Sequence, residues 1–177
     1  MTQASPKSSA PSSLQSSIAT FTPKTGLSDS ARKSAATKLE SVLSDMQIAL
    51  LKTQGVHWAA AGPNFYGLHH LTEEQYRAMF EAIDELAERM RALGHSAPAS
   101  FGQYLDAGKL PDTRAEGFDV AAMVDMLVSD HEAICRRLRD DIGDLDEGKD
   151  YATIDMLTKF LAFHEKAVWM LRATRAS

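Results

Sequence analysis

Apolar residues recur along this chain at intervals of three and four, the spacing of one helix face, and nowhere alternate convincingly with period two. In "LSDSARKSAATKLESVLSDMQIALLKTQGVHW", Leu39, Val42, Leu43, Met46 and Leu50 mark such a face, with Ser28, Asp29 or Ser30 available as N-cap. His57 lies further along the same face. Gly62 and Pro63 break the pattern, and a second helix is predicted from near Asn64 until Gly94 and Pro98 punctuate it. Gly102 to about Phe118 reads as a long connection with a short helix around Phe101 to Asp106. A third helix is predicted from Val120 to about Asp141 through Met123, Met126, Leu127, Ile134 and Leu138, closed by "GDLDEGKD". The fourth is "YATIDMLTKFLAFHEKAVWMLRATR", carried by Ile154, Leu157, Leu161, Val168 and Leu171.

These elements predict an all-α protein. Four long amphipathic helices with a long middle connection fit a ferritin-like four-helix bundle, its crossover carrying a short helix, better than a simple up-and-down bundle. Residues 1–28 are rich in Ser, Pro and Thr and nearly devoid of apolar periodicity, so they cannot bury enough surface to offset ordering entropy. The expected organisation is a disordered tail over 1–28 and one bundle domain over 29–175.

Composition narrows the function classes. A net charge of -5 with pI near 5.6 argues against a globally basic nucleic-acid binder and confines any DNA contact to a local arm. Lys7, Lys24, Arg32 and Lys33 are the cations such an arm would use; a merely solubilising tail is the competing reading. The single cysteine, Cys135, excludes an intramolecular disulfide and suits a reducing compartment, where it reads as a small buried residue. No apolar run resembles a signal peptide or a membrane span, so no membrane partner and a cytoplasmic location are expected.

The second helix holds the candidate chemistry. At about 100° per residue, with His69 at zero, Glu73 falls near 40°, Asp84 near 60° and Glu88 near 100°. Phe65, Tyr76, Phe80, Ile83 and Ala87 adjoin this polar stripe, which is expected to border the buried face. Along the axis, a rise of about 1.5 Å per residue separates Glu73 from Asp84 by roughly 16 Å, too far for one metal ion. The spacing offers a solution: His69 and Glu88, and likewise Glu73 and Asp84, are equidistant from a point between Ala78 and Met79. Packed antiparallel on its own copy across a two-fold axis, the helix sets each His69–Glu73 half against an Asp84–Glu88 half. His57 can add a second imidazole, giving a mixed N/O donor set suited to iron or manganese. Spacing alone does not choose between His69 and His70.

At these residues the chain resembles the Dps family, the ferritin-like mini-ferritins. The resemblance rests on "HWAAAGPNFYGLHHLTEEQYRAMFEAIDELAERMRALG", residues 57 to 94, with its His-Trp, Gly-x-x-Phe, second His and Asp-x-x-Ala-Glu-Arg, and on "LTKFLAFHEKAVWMLRA" near the end. It spans about residues 28 to 175. It implies ferroxidase ligands at His57, His69 and Glu73 of one subunit and Asp84 and Glu88 of its neighbour, and so selects His69 over His70. Iron (Fe) would be the metal, with room for two ions per site. Many family members have Asp where Glu73 stands, and the extra methylene bears on the second iron position. Trp58 matches a tryptophan beside the iron.

The resemblance further implies a homo-oligomer, a hollow dodecamer that oxidises Fe(II), preferably with hydrogen peroxide, stores ferric mineral and protects DNA in the bacterial cytoplasm or nucleoid. Acidic pores would admit iron, with Asp140, Asp141, Asp144 and Asp146 as candidates. The alternative is a non-specific DNA-compacting structural protein whose metal site mainly stabilises the dimer. His131 and His164 read as structural, His95 as part of a loop.

Overall fold

In a computed structural model, which describes residues 21–113 and 119–175, the chain forms five helices: α1 (Asp29–Ala59), α2 (Phe65–Ala92), α3 (Phe101–Ala107), α4 (Val120–Glu147) and α5 (Tyr151–Arg175). No strand occurs among the described residues, and the all-α, four-helix architecture with a short helix in the crossover is as expected. Residues 1–20, with Lys7, lie outside the described residues, so most of the tail does too. Ser28 is the N-cap of α1, its side chain accepting from the Ala31 amide.

The ion pairs between helices reveal the topology. Lys38 reaches Asp141 and Asp144, Arg137 reaches Asp45 and Lys52 reaches Asp130, so α1 and α4 run antiparallel. Arg89 bonds Asp150 and Lys159 bonds Glu85, making α2 and α5 antiparallel as well. His57 beside His69 shows the same for α1 and α2. Both α2 and α4 therefore oppose α1 and are parallel to each other, and only a chain segment running the length of the bundle can join them. That segment carries α3, strapped to α1: Asp45 Oδ1 accepts from the Lys109 and Leu110 amides at 2.5 and 2.9 Å, and Lys52 donates to the Pro111 carbonyl at 3.2 Å. Gly108 permits the approach, since a Cβ there would lie 2.8 Å from Ile48 Cδ1.

The main core joins Leu39, Leu43 and Met46 of α1 to Met79, Leu86, Ile134, Leu138 and Leu157. A second cluster, Val56, Leu68, Val124, Leu127 and Leu171, fills the end of the bundle near the α1–α2 turn. Three expectations need correction. Helix α4 does not end near Asp141 but continues through Gly143 to Glu147, because Leu145 is buried and Asp144 is held by Lys38. The arc beside the polar stripe of α2 is core only in part: Tyr76, Ile83 and Ala87 pack against the main core, but Phe65 and Phe80 are exposed, Phe80 by 71%, and the fully buried face is Leu68, Leu71, Met79, Ala82, Leu86 and Met90. Arg32 cannot serve a DNA-binding arm, since it is buried and donates to the Leu27 carbonyl and Asp29; Lys24 and Lys33 are exposed.

Candidate metal centre

Where α1 ends and α2 begins, His57 and His69 stack with ring centroids 3.8 Å apart and planes 17° from parallel. Each ring is tied to the other's backbone. His57 Nδ1 lies 2.8 Å from the His69 carbonyl, and His69 Nδ1 lies 3.1 Å from the His57 carbonyl. A carbonyl only accepts, so both Nδ1 atoms carry the proton and donate, and both Nε2 atoms keep a lone pair. This fixes one tautomer in both rings, as the outer hydrogen bonds of metal-bound imidazoles do. Tyr76 meets His57 edge-on at 5.3 Å and Phe65 stacks on His69 at 5.1 Å, so aromatic neighbours hold the pair from both sides. His57 is buried, while His69 is partly open.

One turn along, the Glu73 carboxylate accepts from Arg77 Nε at 3.1 Å and Arg77 Nη2 at 2.7 Å, both on Oε1. That hydrogen bond, with the charge of Arg77, holds the Glu73 carboxyl below the usual carboxylate range. His70 Nδ1 is 3.8 Å from Glu73 Oε2, and the His70 ring leans on Tyr66 at 4.3 Å.

Asp84 and Glu88, lower on α2, are exposed and make no hydrogen bond or ion pair among the described residues. The chain thus brings His57, His69 and Glu73 to one end of α2 and leaves Asp84 and Glu88 at the other. Among the described residues of one chain, no three His, Cys, Asp or Glu side chains gather closely enough to hold a metal ion. Arg89, inside the acidic signature, was not singled out as a positioning group. It donates to Thr153 Oγ1 at 2.9 Å and Asp150 Oδ1 at 2.5 Å, clamping α2 to α5 and fixing the rotation that turns Glu88 outward. The basic residue beside an acid was its only signal in the sequence.

Of the weaker candidates, Asp141 is buried against Lys38 and Asp144 shares that lysine, leaving Asp140 and Asp146 as the more available acids. Burial raises the Asp141 carboxyl despite Lys38. His131 and His164, distant in sequence, meet in the interior with Nδ1 atoms 2.7 Å apart. Cys135 is a free, buried thiol whose pKa burial pushes up.

The antiparallel helix pairs, the long crossover and the histidine and carboxylate donors on α1 and α2 define a ferritin-like protein, and a family model described as a ferritin-like domain matches residues 36–176. A DNA protection during starvation protein of Brevibacillus brevis is 35% identical over 146 residues, covering 80% of this chain and 97% of that protein. An uncharacterized low temperature-induced protein of Nostoc is 38% identical over 149 residues, 84% of this chain and 83% of its own length. The solved structure of a Dps protein from Vibrio cholerae O1, described as a member of a broad superfamily of ferritin-like diiron-carboxylate proteins, superposes with TM-score 0.80 at 30% identity, covering 89% of this chain and 98% of that one. The chain belongs to the Dps family of ferritin-like proteins. No helix among the described residues is long and apolar enough to cross a membrane.

Proposed function

We propose that this protein stores and detoxifies iron as a homo-oligomer, oxidising Fe(II) at sites shared by two subunits and so protecting DNA from oxidative damage. The observation that carries this reading is the reciprocal bonding of His57 and His69, which occupies both Nδ1 atoms and leaves both Nε2 lone pairs free for metal. Glu73 completes one half-site. Asp84 and Glu88 of the partner subunit supply the other half when α2 packs on its own copy about a two-fold axis. Support for that packing comes from the exposed apolar side chains beside the stripe, Phe80 and Trp58, each 71% exposed in the single chain.

Two imidazoles and three carboxylates form a hard, mixed donor set that suits iron as substrate and balances much of its charge. Histidine orientation is set in advance by the carbonyls, so little ordering cost remains when the metal arrives. Two Fe(II) ions side by side can give hydrogen peroxide both electrons it needs, 2 Fe(II) + H2O2 + 2 H+ yielding 2 Fe(III) + 2 H2O, without the one-electron cleavage that releases hydroxyl radical. Trp58, next to His57, is placed to intercept any radical that escapes. The dodecameric cage, with ferric mineral inside, follows from the family as the assembly in which such two-fold sites recur.

The deciding experiment loads the protein with Fe(II) anaerobically, adds peroxide, and follows ferric absorbance in wild type and Asp84→Ala, with native mass measured alongside. The expected result is an oligomer whose fast phase disappears in the variant. A monomeric native mass, or an undiminished fast phase in Asp84→Ala, overturns the shared site.

A further inference from the structure

We infer that Arg77 sets the affinity of the site for a second metal ion by holding Glu73 Oε1 in a two-pronged hydrogen bond that the metal must displace. The inference rests on the shared-site reading given above. Its starting point is geometric: Arg77 donates through both Nε and Nη2 to a single oxygen of Glu73, at 3.1 and 2.7 Å. Oε2 is left as the only carboxylate oxygen without a guanidinium on it. An ion that needs only Oε2 leaves Arg77 in place, whereas a second ion needing the other oxygen competes with Arg77.

Position on the helix reinforces this. Arg77 lies about 40° from Glu73 and about 20° from Asp84 on the wheel, inside the polar stripe rather than beside it. Equidistance from the point between Ala78 and Met79 pairs it with Phe80. Two-fold packing would therefore set the guanidinium against Phe80 of the partner subunit, an arrangement favourable for a cation over a ring. The guanidinium would then be drawn out of water, where its hold on Glu73 strengthens. The glutamate matters here: with one methylene more than aspartate, its carboxylate spans a full helical turn to residue 77, in the favoured order of acid before base. Arg77 places a positive charge on the stripe between Glu73 and Asp84, where it offsets part of the negative charge that a metal ion would otherwise meet.

As a pair on the surface of a single helix, Glu73–Arg77 contributes little to folding, and removing it should leave the bundle intact. The test titrates the assembled, full-length protein with Co(II), which is not oxidised under anaerobic conditions, by calorimetry and visible absorption. Wild type, R77Q, R77K and H69A are compared, with native mass and melting temperature measured for each. Expected for R77Q is a second Co(II) bound about three- to tenfold more tightly, the first little changed, and an unaltered mass and melting temperature. R77K should fall between wild type and R77Q, because lysine keeps the charge but lacks the planar fork. Identical second-ion affinity in wild type and R77Q, while H69A loses Co(II), overturns the role of Arg77 and leaves the shared site standing. Loss of the oligomer in R77Q with unchanged Co(II) affinity also overturns it, assigning Arg77 to interface packing. If wild type and H69A bind Co(II) alike, the shared-site reading itself falls and takes this inference with it.

Discussion

His57 and His69 stack at the turn between α1 and α2, each Nδ1 on the other's backbone carbonyl, whereas His131 and His164 meet Nδ1 to Nδ1 between α4 and α5, at 2.7 Å and fully buried. In the second pair one ring must donate and the other accept, so the two are opposite tautomers and keep a single lone pair between them. The first pair has one tautomer in both rings and keeps two. Burial also drives the second pair toward neutrality, pushing His131 down to about 4 and His164 well below the usual histidine range, the latter helped by His131. On the proposed function, the same residue type is thus a ligand where the backbone satisfies one nitrogen, and it is a structural link where another imidazole does. What decides is the partner of Nδ1, not burial, for His57 is buried too.

The largest effect that breaks this comparison is on iron. His69→Ala should slow peroxide-driven Fe(II) oxidation by about a hundredfold, while a change in the interior pair that preserves the fold should leave it within about twofold. Stopped-flow ferric absorbance measures both. A sharper form mixes subunits: His69→Ala co-assembled with Asp84→Ala regenerates one intact site in each heterodimer, whose two halves come from different chains. Recovery of fast oxidation on mixing is expected. Two inactive variants that stay inactive together, with mixed assembly verified by native mass, would refute sharing.

Stability shows the reverse pattern. His164→Ala strips the buried His131 of its partner and opens a cavity, and a loss of about 2 kcal/mol is expected in denaturant or thermal unfolding of the assembled protein. Replacing both with leucine removes the need for the hydrogen bond, so the double variant should be more stable than His164→Ala. A double variant less stable than the single one would mean that the imidazole pair has a role beyond satisfying itself.

pH separates the pairs next. An unfolded histidine takes up a proton near pH 6.5, but folded His131 does so only near 4. Between those values the unfolded chain binds more protons, so stability falls as pH drops from about 7 toward 4. By pH 5.5 the loss is about 1 kcal/mol, read as a lowered melting temperature that the double leucine variant should largely escape. An equally steep fall in that variant would locate the acid sensitivity elsewhere, with the buried Asp130, raised by burial despite Lys52, as the first group to test.

Which parts were legible in the sequence follows from the same contrast. The helices, the crossover and the stripe on α2 could be read because each is a periodic pattern local to its own segment, and period alone told helix from strand. Helix α4 was cut short because Gly143 and the acids around it look like a terminus, while Leu145 in the core and the Lys38 contact to Asp144 are tertiary facts. The exposed Phe80 was misjudged for the opposite reason: an apolar arc reads as core whether it is buried within one chain or left for a second. The meeting of His131 with His164 and the clamp of Arg89 on Asp150 join residues far apart in sequence, and no spacing rule reaches them. The stacking of His57 on His69 belongs with these, since only the closed α1–α2 turn puts their carbonyls within reach.

The smallest effect concerns His70, the neighbour that spacing could not separate from His69. His70 is exposed, its ring set against Tyr66, and its Nδ1 stands 3.8 Å from Glu73 Oε2, beyond hydrogen-bond reach. No carbonyl fixes its tautomer, so a metal ion would have to order the ring at its own cost. His70→Ala should therefore change the Fe(II) oxidation rate by less than about twofold, against the hundredfold expected for His69→Ala. A residual effect would act through charge alone, since charge on His70 helps hold Glu73 ionised. A loss as deep as that of His69→Ala at pH 7.5 would show that the ligand is His70, and that the carbonyl-tethered pair is only packing at the turn.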